Sequence, residues 1–170
     1  MIYGVHPTAI IGGPPESRKW WASRPAVRYP VELAESVRIG PYATVDAGTE
    51  RATVVGEDSW VFAHAHVGHD ARIGARCEVS TGAIIGGHAE IEDDVRIGLG
   101  AIVLPFKRVG KGARVGAGAV VTKDVPAAET WAGVPARRLE PPSDPVADGW
   151  YEWLEARDAQ KEYAKALTGE

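Results

Sequence analysis

The chain has 170 residues, a formal charge of −4 and 45% hydrophobic residues, which suits one domain with an appendage and a sizeable core. The mildly acidic balance gives no support to a nucleic-acid partner or an anionic membrane surface, and no apolar run reaches the length of a membrane span. One cysteine, Cys77, excludes an internal disulfide framework and suits a reducing, cytoplasmic setting.

The opening segment, MIYGVHPTAIIGG, lacks the basic start and long apolar core of a signal peptide. Val5 and Ile11 begin a six-residue beat that resumes at Leu33, after sixteen extra residues. The intervening loop, 12–32, carries Trp20, Trp21, Arg24, Arg28 and Tyr29. It is expected to leave the repeat, either to pack its own aromatics or a subunit neighbour, or to wall an acceptor site. Leu33, Ile39 and Val45 keep the beat, and four extra residues then fall within 46–54 as a second ejected loop.

From Val55 every sixth residue is β-branched, without a miss, through Val61, Val67, Ile73, Val79, Ile85, Ile91, Ile97, Val103, Val109, Val115 and Val121. Two positions earlier the residue is mostly small, as in Ala65, Ala71, Cys77, Ala83 and Ala89, and glycine recurs one position later. Six fits neither a helical period nor a long alternating strand. It fits a short strand plus a tight corner, stacked into a parallel β-helix whose coils share one core. The strand pleat turns the Val/Ile and the residue two before it inward. The hexad pattern stops at TKDVP, where Pro126 cannot donate to a ladder, and the β-helix with its loop insertion 12–32 is assigned to residues 1–139. Residues 140–149 then read as a proline-rich linker, and 150–170 as a C-terminal α-helix with an apolar side built on Trp150, Trp153, Leu154 and Tyr163.

This register orients the histidines of AHAHVGHDARIG. His64, His66 and His69, like His88 further on, fall in no inward slot, so they belong to the outer wall. With three six-residue sides per coil, residues eighteen apart stack about 4.8 Å from each other. Gly87 then lies over His69, and His88 over Asp70. An imidazole beside an unobstructed backbone N–H offers a proton acceptor for a nucleophile and a donor for an oxyanion, as acyl transfer requires.

The hexad repeat, AHAHVGHDARIG, IIGGHAEIEDDVRIG and the tail VGAGAVVTKDVPAAETWAGVPARRL together resemble the hexapeptide-repeat acyltransferases over roughly residues 33–139. The resemblance is to the sugar-nucleotide N-acetyltransferases and the UDP-N-acetylglucosamine acyltransferases. It implies an all-β, left-handed parallel β-helix and transfer of an acyl group, acetyl by the look of the tail, from CoA to an amine or hydroxyl of a sugar or sugar nucleotide. It implies a homotrimer with sites between adjacent prisms. By resemblance His69 is the general base, Asp70 its orienting partner or an acceptor contact, and Gly87 the oxyanion donor, while His66, His88 and His64 bind substrate. Leu99 and Ala117 match positions near the pantetheine arm, and Lys123, Arg137 and Arg138 are candidates for the CoA phosphates. Leu104 stands where the lipid-pathway O-acyltransferase has a further histidine, which favours a short acyl group. The nucleotide-sugar-binding βαβ domain of the sialic-acid and bacillosamine enzymes has no counterpart here, and the aromatic loop 12–32 is a candidate to replace it.

Two other readings stand beside this one. The γ-class carbonic anhydrases share the β-helix and place three histidines on zinc across a trimer interface, and His64 and His69 mimic part of that spacing. A scaffold or binding solenoid with vestigial histidines is the non-catalytic alternative. The acyltransferase reading expects acetyl-CoA as donor and no metal.

Overall fold

A computed structural model describes residues 4–15 and 29–139, and over these the six-residue beat becomes a three-sided parallel β-helix. Strands are mostly two residues long, because each hexad spends the rest of its length on a corner. Face I stacks Ile10–Gly13, Thr44–Asp46, His66–Val67, Ile84–Ile85, Ile102–Val103 and Val120–Val121. Face II stacks Val31–Leu33, Thr53–Val55, Arg72–Ile73, Glu90–Ile91 and Arg108–Val109. Face III stacks Arg38–Ile39, Trp60–Val61, Glu78–Val79, Arg96–Ile97, Arg114–Val115 and Thr130–Ala132, and ends on Arg137–Arg138.

Partners in regular coils are eighteen residues apart, as in His66↔Ile84 and Ile84↔Ile102. The two ejected loops appear as register jumps. Val45 pairs with Val67, twenty-two residues on, and Ile11 with Val45, thirty-four residues on. The coil is consistent with the left-handed β-helix of the resemblance.

Inward slots hold what the pattern predicts. Val67, Ile73, Val79, Ile85, Ile97 and Val103 are buried, and Ala65, Ala71, Cys77, Ala83 and Ala89 fill the space between them. Large and small residues alternate so that each coil fills its cross-section without voids. Outward residues divide by face. Face II presents Glu32, Val54, Arg72, Glu90 and Arg108, and face III presents Arg38, Trp60, Glu78, Arg96 and Arg114. Face I instead presents Ile10, Thr44, His66, Ile84, Ile102 and Val120, a largely apolar ladder.

Each corner turns on one residue of positive φ, and these recur every six positions. Asp58, His64, Asp70, Arg76, His88, Asp94 and Phe106 share the role with Gly82, Gly100, Gly112 and Gly118. In the turn Gly68–Ala71, closed by Ala71 N–H on Gly68 C=O, Asp70 takes φ +61° at the third position. That is the type II pattern, and Asp is among the residues that tolerate it.

At the C-terminal end the coil continues past Pro126. Val125 is buried and bridges Val109, Ala128 makes another positive-φ corner, and Thr130–Ala132 adds to face III. Pro126 stands where Glu92 and Gly110 donate N–H groups to the next coil, and among the described residues no further face II strand follows it, so its missing donor costs nothing. Arg137–Arg138 then folds back antiparallel on Thr130–Ala132 and occupies that strand edge. The linker 140–149, the helix 150–170 and most of the aromatic loop lie outside the described residues. Strand Ile10–Gly13 takes in the first two residues of the loop range, and strand Val31–Leu33 its last two.

Candidate active site

His69 and Asp70 are the second and third residues of the corner between faces I and II. The tight turn brings their side chains together, with His69 Nδ1 2.7 Å from Asp70 Oδ2. Asp70 is fully buried although it sits on a corner. The ejected loop 46–54 covers it, because residue 52 lies one coil below residue 70.

Three consecutive loop amides close on the carboxylate. Asp70 Oδ1 accepts the N–H of Thr49 at 3.0 Å, of Glu50 at 2.8 Å and of Arg51 at 2.7 Å. Oδ2 accepts the Thr49 hydroxyl at 2.7 Å, and the Thr49 N–H is shared with it at 3.0 Å. Arg51 Nε donates to the Asp70 carbonyl at 2.9 Å, and the Asp70 N–H donates to Thr53 Oγ1 at 2.9 Å. Successive amides aimed at one anion form a nest. Burial pushes the Asp70 carboxyl upward, but the His69 contact, the Arg51 and Glu50 amides and Thr49 outweigh it and hold it well below the usual carboxylate range. Asp70 is therefore an anion, and His69 Nδ1 carries the proton it donates. Nε2 of His69 is left as an acceptor.

Gly87 lies over that nitrogen, as the eighteen-residue stacking predicts. A Cβ built on Gly87 would stand 2.8 Å from His69 Nε2 and 2.9 Å from Cε1. Its N–H meets no backbone acceptor among the described residues. His88, next along, places Nε2 3.5 Å from Asp70 Oδ2 and meets the edge of the His69 ring at 5.2 Å. Its other neighbour is Phe106, stacked at 4.6 Å and 11° and itself 70% exposed. Beside His88 and Phe106 opens a cleft of about 600 Å3 lined by these two and by Glu50, Arg51, Glu90, Lys107, Arg108 and Asp124, with His69 just outside the lining. Arg51 and Glu90 pair within it at 3.3 Å.

The remaining expected residues divide between two edges of the prism. His66 stands on face I, its Nδ1 2.8 Å from Thr44 Oγ1 and its Nε2 4.0 Å from Asp46 Oδ2. Lys123 is exposed on the same edge as His69, three coils further along. His64 occupies the edge between faces III and I, stacked on Tyr42 at 5.2 Å. Leu99 and Ala117 are exposed on that second edge, across face I from His69. Arg137 and Arg138 are exposed on the closing strand, where Arg138 Nε approaches Glu129 Oε1 at 3.5 Å. Within one chain the candidate donor-binding residues do not reach the His69 corner.

The sequence reading missed Thr49, Glu50, Arg51 and Thr53, although the four extra residues of 46–54 were visible as a break one coil below Asp70. It also missed Phe106 as a companion of His88.

His69, Asp70 and His88 are the one cluster of described residues whose ligand-type atoms gather within 4.8 Å. Five donors already share the carboxylate oxygens of Asp70, which offer about four lone-pair sites. No third imidazole belongs to the cluster. Within one chain the arrangement is that of a hydrogen-bonded imidazole–carboxylate pair.

A three-sided parallel β-helix with a six-residue repeat is the architecture of hexapeptide-repeat proteins. Residues 52–87 match the family model "Bacterial transferase hexapeptide (six repeats)", and residues 88–123 match "Hexapeptide repeat of succinyl-transferase". The matched hexapeptide repeats thus run through residues 52–123, and the chain is similar to sugar-nucleotide acyltransferases. A UDP-3-O-acylglucosamine N-acyltransferase of Caulobacter sp. (strain K31) is 40% identical over 110 residues, 65% of this chain and 32% of that protein. The Francisella novicida UDP-N-acetylglucosamine acyltransferase matches with a TM-score of 0.75 at 26% identity, over 82% of this chain and 51% of that one. A mutant GDP-perosamine N-acetyl transferase from Caulobacter crescentus, in complex with CoA and GDP-perosamine, matches with a TM-score of 0.51 at 26% identity, over 83% of this chain and 59% of that one. The chain spans about a third of the length of the first curated relatives it matches. Among the described residues no helix is long and apolar enough to cross a membrane.

Proposed function

We propose that the chain transfers an acyl group, acetyl in the first instance, from a CoA thioester to an amine or hydroxyl of a sugar or sugar nucleotide. The observation that carries this reading is His69, tied through Nδ1 to a buried anionic Asp70 and facing the bare backbone of Gly87 through Nε2. Nε2 accepts the proton of the acceptor N–H or O–H as that atom attacks the thioester carbonyl. The oxyanion of the tetrahedral intermediate takes the Gly87 N–H. Collapse breaks the C–S bond, and the leaving thiolate recovers the proton from the imidazolium. Asp70 holds the ring and balances its transient charge.

The acceptor occupies the cleft beside His88 and Phe106, with His66 as a further substrate contact, and His64, on the edge across face I, meets a substrate bound between protomers. Leu99 and Ala117 stand on the opposite edge of face I, so they serve a donor bound between protomers. The apolar outward ladder of face I supports a homotrimer, in which the pantetheine arm lies along one protomer's Leu99 and Ala117 and ends at the next protomer's His69. Lys123, Arg137 and Arg138 remain candidates for the CoA phosphates. A cytoplasmic location fits a chain whose one cysteine is buried and unpaired.

The test is a panel of amino-sugar nucleotides and sugars with acetyl-CoA, following release of free thiol. Turnover with at least one acceptor, abolished by His69→Ala in a folded protein, is the expected result. Binding of acetyl-CoA without turnover on any acceptor would reduce the chain to a binding solenoid. Full turnover by His69→Ala would remove the assigned base.

A further inference from the structure

We infer that the ejected segment Thr49–Arg51 is the positioning device of the proton-accepting histidine, clasping Asp70 so that His69 keeps one tautomer, with the Thr49 hydroxyl as its adjustable donor. The inference rests on the acyltransferase reading for its kinetic consequence, though not for its structural one.

An unclasped carboxylate on an exposed corner would share its charge with water and rotate about its side-chain bonds. Here three successive amides and one hydroxyl fix both oxygens. Only one direction on Oδ2 is left for His69 Nδ1–H. The clasp is itself held. Tyr29 and Gly48 exchange backbone hydrogen bonds of 3.1 and 3.0 Å, and Thr53 N–H donates to Pro30 C=O at 3.2 Å. Gly48 is required by close approach, since a Cβ there would stand 1.7 Å from the Arg51 carbonyl oxygen. The four extra residues of 46–54 therefore have a purpose that the β-helix alone does not need. They bring backbone donors to the anion of this corner, which the next two coils replace with Gly87–His88 and Pro105–Phe106. Glu50 and Arg51 of the same segment also line the cleft, so the clasp and the acceptor wall are one piece of chain.

The direction of the effect follows from charge. Each donor on Oδ2 withdraws some of the negative charge that the carboxylate offers to a protonated His69. Replacing Thr49 with valine keeps the shape and removes one donor. Asp70 then stabilises the imidazolium more strongly, and the acid limb of the pH–rate profile moves to higher pH, by about half a unit to one unit. The other charged and titratable groups around the pair are His88 on the next coil, Glu50 and Arg51 on the clasp, and Glu90, Lys107, Arg108 and Asp124 across the cleft. None is altered by a change at Thr49, so a shifted limb reports the hydroxyl.

The experiment compares the full chain with its Thr49→Ser, Thr49→Val and Gly48→Ala variants by two readouts. The first is kcat/KM for acetyl transfer against pH. The second is the NMR signal of the His69 imidazole, which in the native chain must show a downfield, hydrogen-bonded Nδ1 proton whether or not an acceptor is known. Thr49→Ser should keep both readouts. Thr49→Val should shift the limb upward, and Gly48→Ala should lose the downfield proton and at least tenfold in kcat, with KM for acetyl-CoA little changed. A Thr49→Val profile that superposes on the native one overturns the proposal, as does a native His69 without the Nδ1 proton signal, which covers the case of a variant that does not fold. Absence of turnover in the native chain with the downfield proton present would sink the acyltransferase reading and leave the clasp standing.

Discussion

Replacing Gly87 with alanine tests the stacking of backbone over base. The new methyl carbon would stand 2.8, 2.9 and 3.2 Å from Nε2, Cε1 and Cδ2 of His69, where ordinary contact begins near 3.4 Å. The ring must retreat by about half an ångström, yet its far side is tied to Asp70 at 2.7 Å. The backbone itself accepts alanine, because Gly87 is not among the positive-φ glycines. Stability should therefore move by only about 1 kcal/mol, the crowding being offset in part by the lost freedom of glycine in the unfolded chain. Activity should move far more. The methyl group occupies the hydrogen-bond distance from Nε2 that an acceptor nucleophile needs, and general-base catalysis is worth about 10²–10⁴-fold. We expect kcat/KM to fall by about 10²–10³-fold with a near-native melting temperature. In a His69→Ala background the same change should cost little, because the group it masks is already gone. Full activity of Gly87→Ala with a confirmed acceptor, or an equal loss in the two backgrounds, would refute the geometry on which the mechanism stands.

Three further outcomes follow from the same contacts. Asp70→Asn replaces one of the two oxygens that share five donors, His69 among them, with an amide nitrogen, so kcat should drop by about 10³–10⁴-fold, and the unfolding free energy by about 2–4 kcal/mol in a urea titration. Because the folded state holds the Asp70 carboxyl below its unfolded value of 3.8, the stabilisation it confers is fully present above about pH 4 and is lost as pH falls through the folded value. The urea midpoint of the native chain should thus fall more steeply below pH 4 than that of Asp70→Asn, and parallel curves would contradict the clasped anion. Ile85→Ala, at a fully buried slot in the middle of face I, should cost about 2–5 kcal/mol by the cavity it leaves, read as a lower urea midpoint with the β-rich circular dichroism spectrum retained.

What could be read in the sequence is what translation along a solenoid repeats. Burial at Val67, Ile73, Val79 and Ile85 comes from one rule applied at each coil, so counting in sixes finds the core, and counting in eighteens sets Gly87 over His69 and His88 over Asp70. A departure from the repeat carries no such rule. The break at 46–54 could be counted, but its landing place had to be worked out from coil arithmetic, and most of its ligands to Asp70 are backbone amides that no side chain announces. Gly48 and Thr49 were the available signals. A glycine beside a hydroxyl residue in an insertion one coil below a buried-corner aspartate is the local chemistry of a nest. The regular coil past Pro126 was hidden for a related reason. Pro126 was weighed as a strand residue, whereas the register places it on a corner, between the bridge at Val125 and the positive φ of Ala128. In a repeat protein, then, an insertion or a proline has to be assigned to a face or an edge before its chemistry is judged. At the His69 corner that assignment turns an apparent interruption of the β-helix into the support of a buried carboxylate.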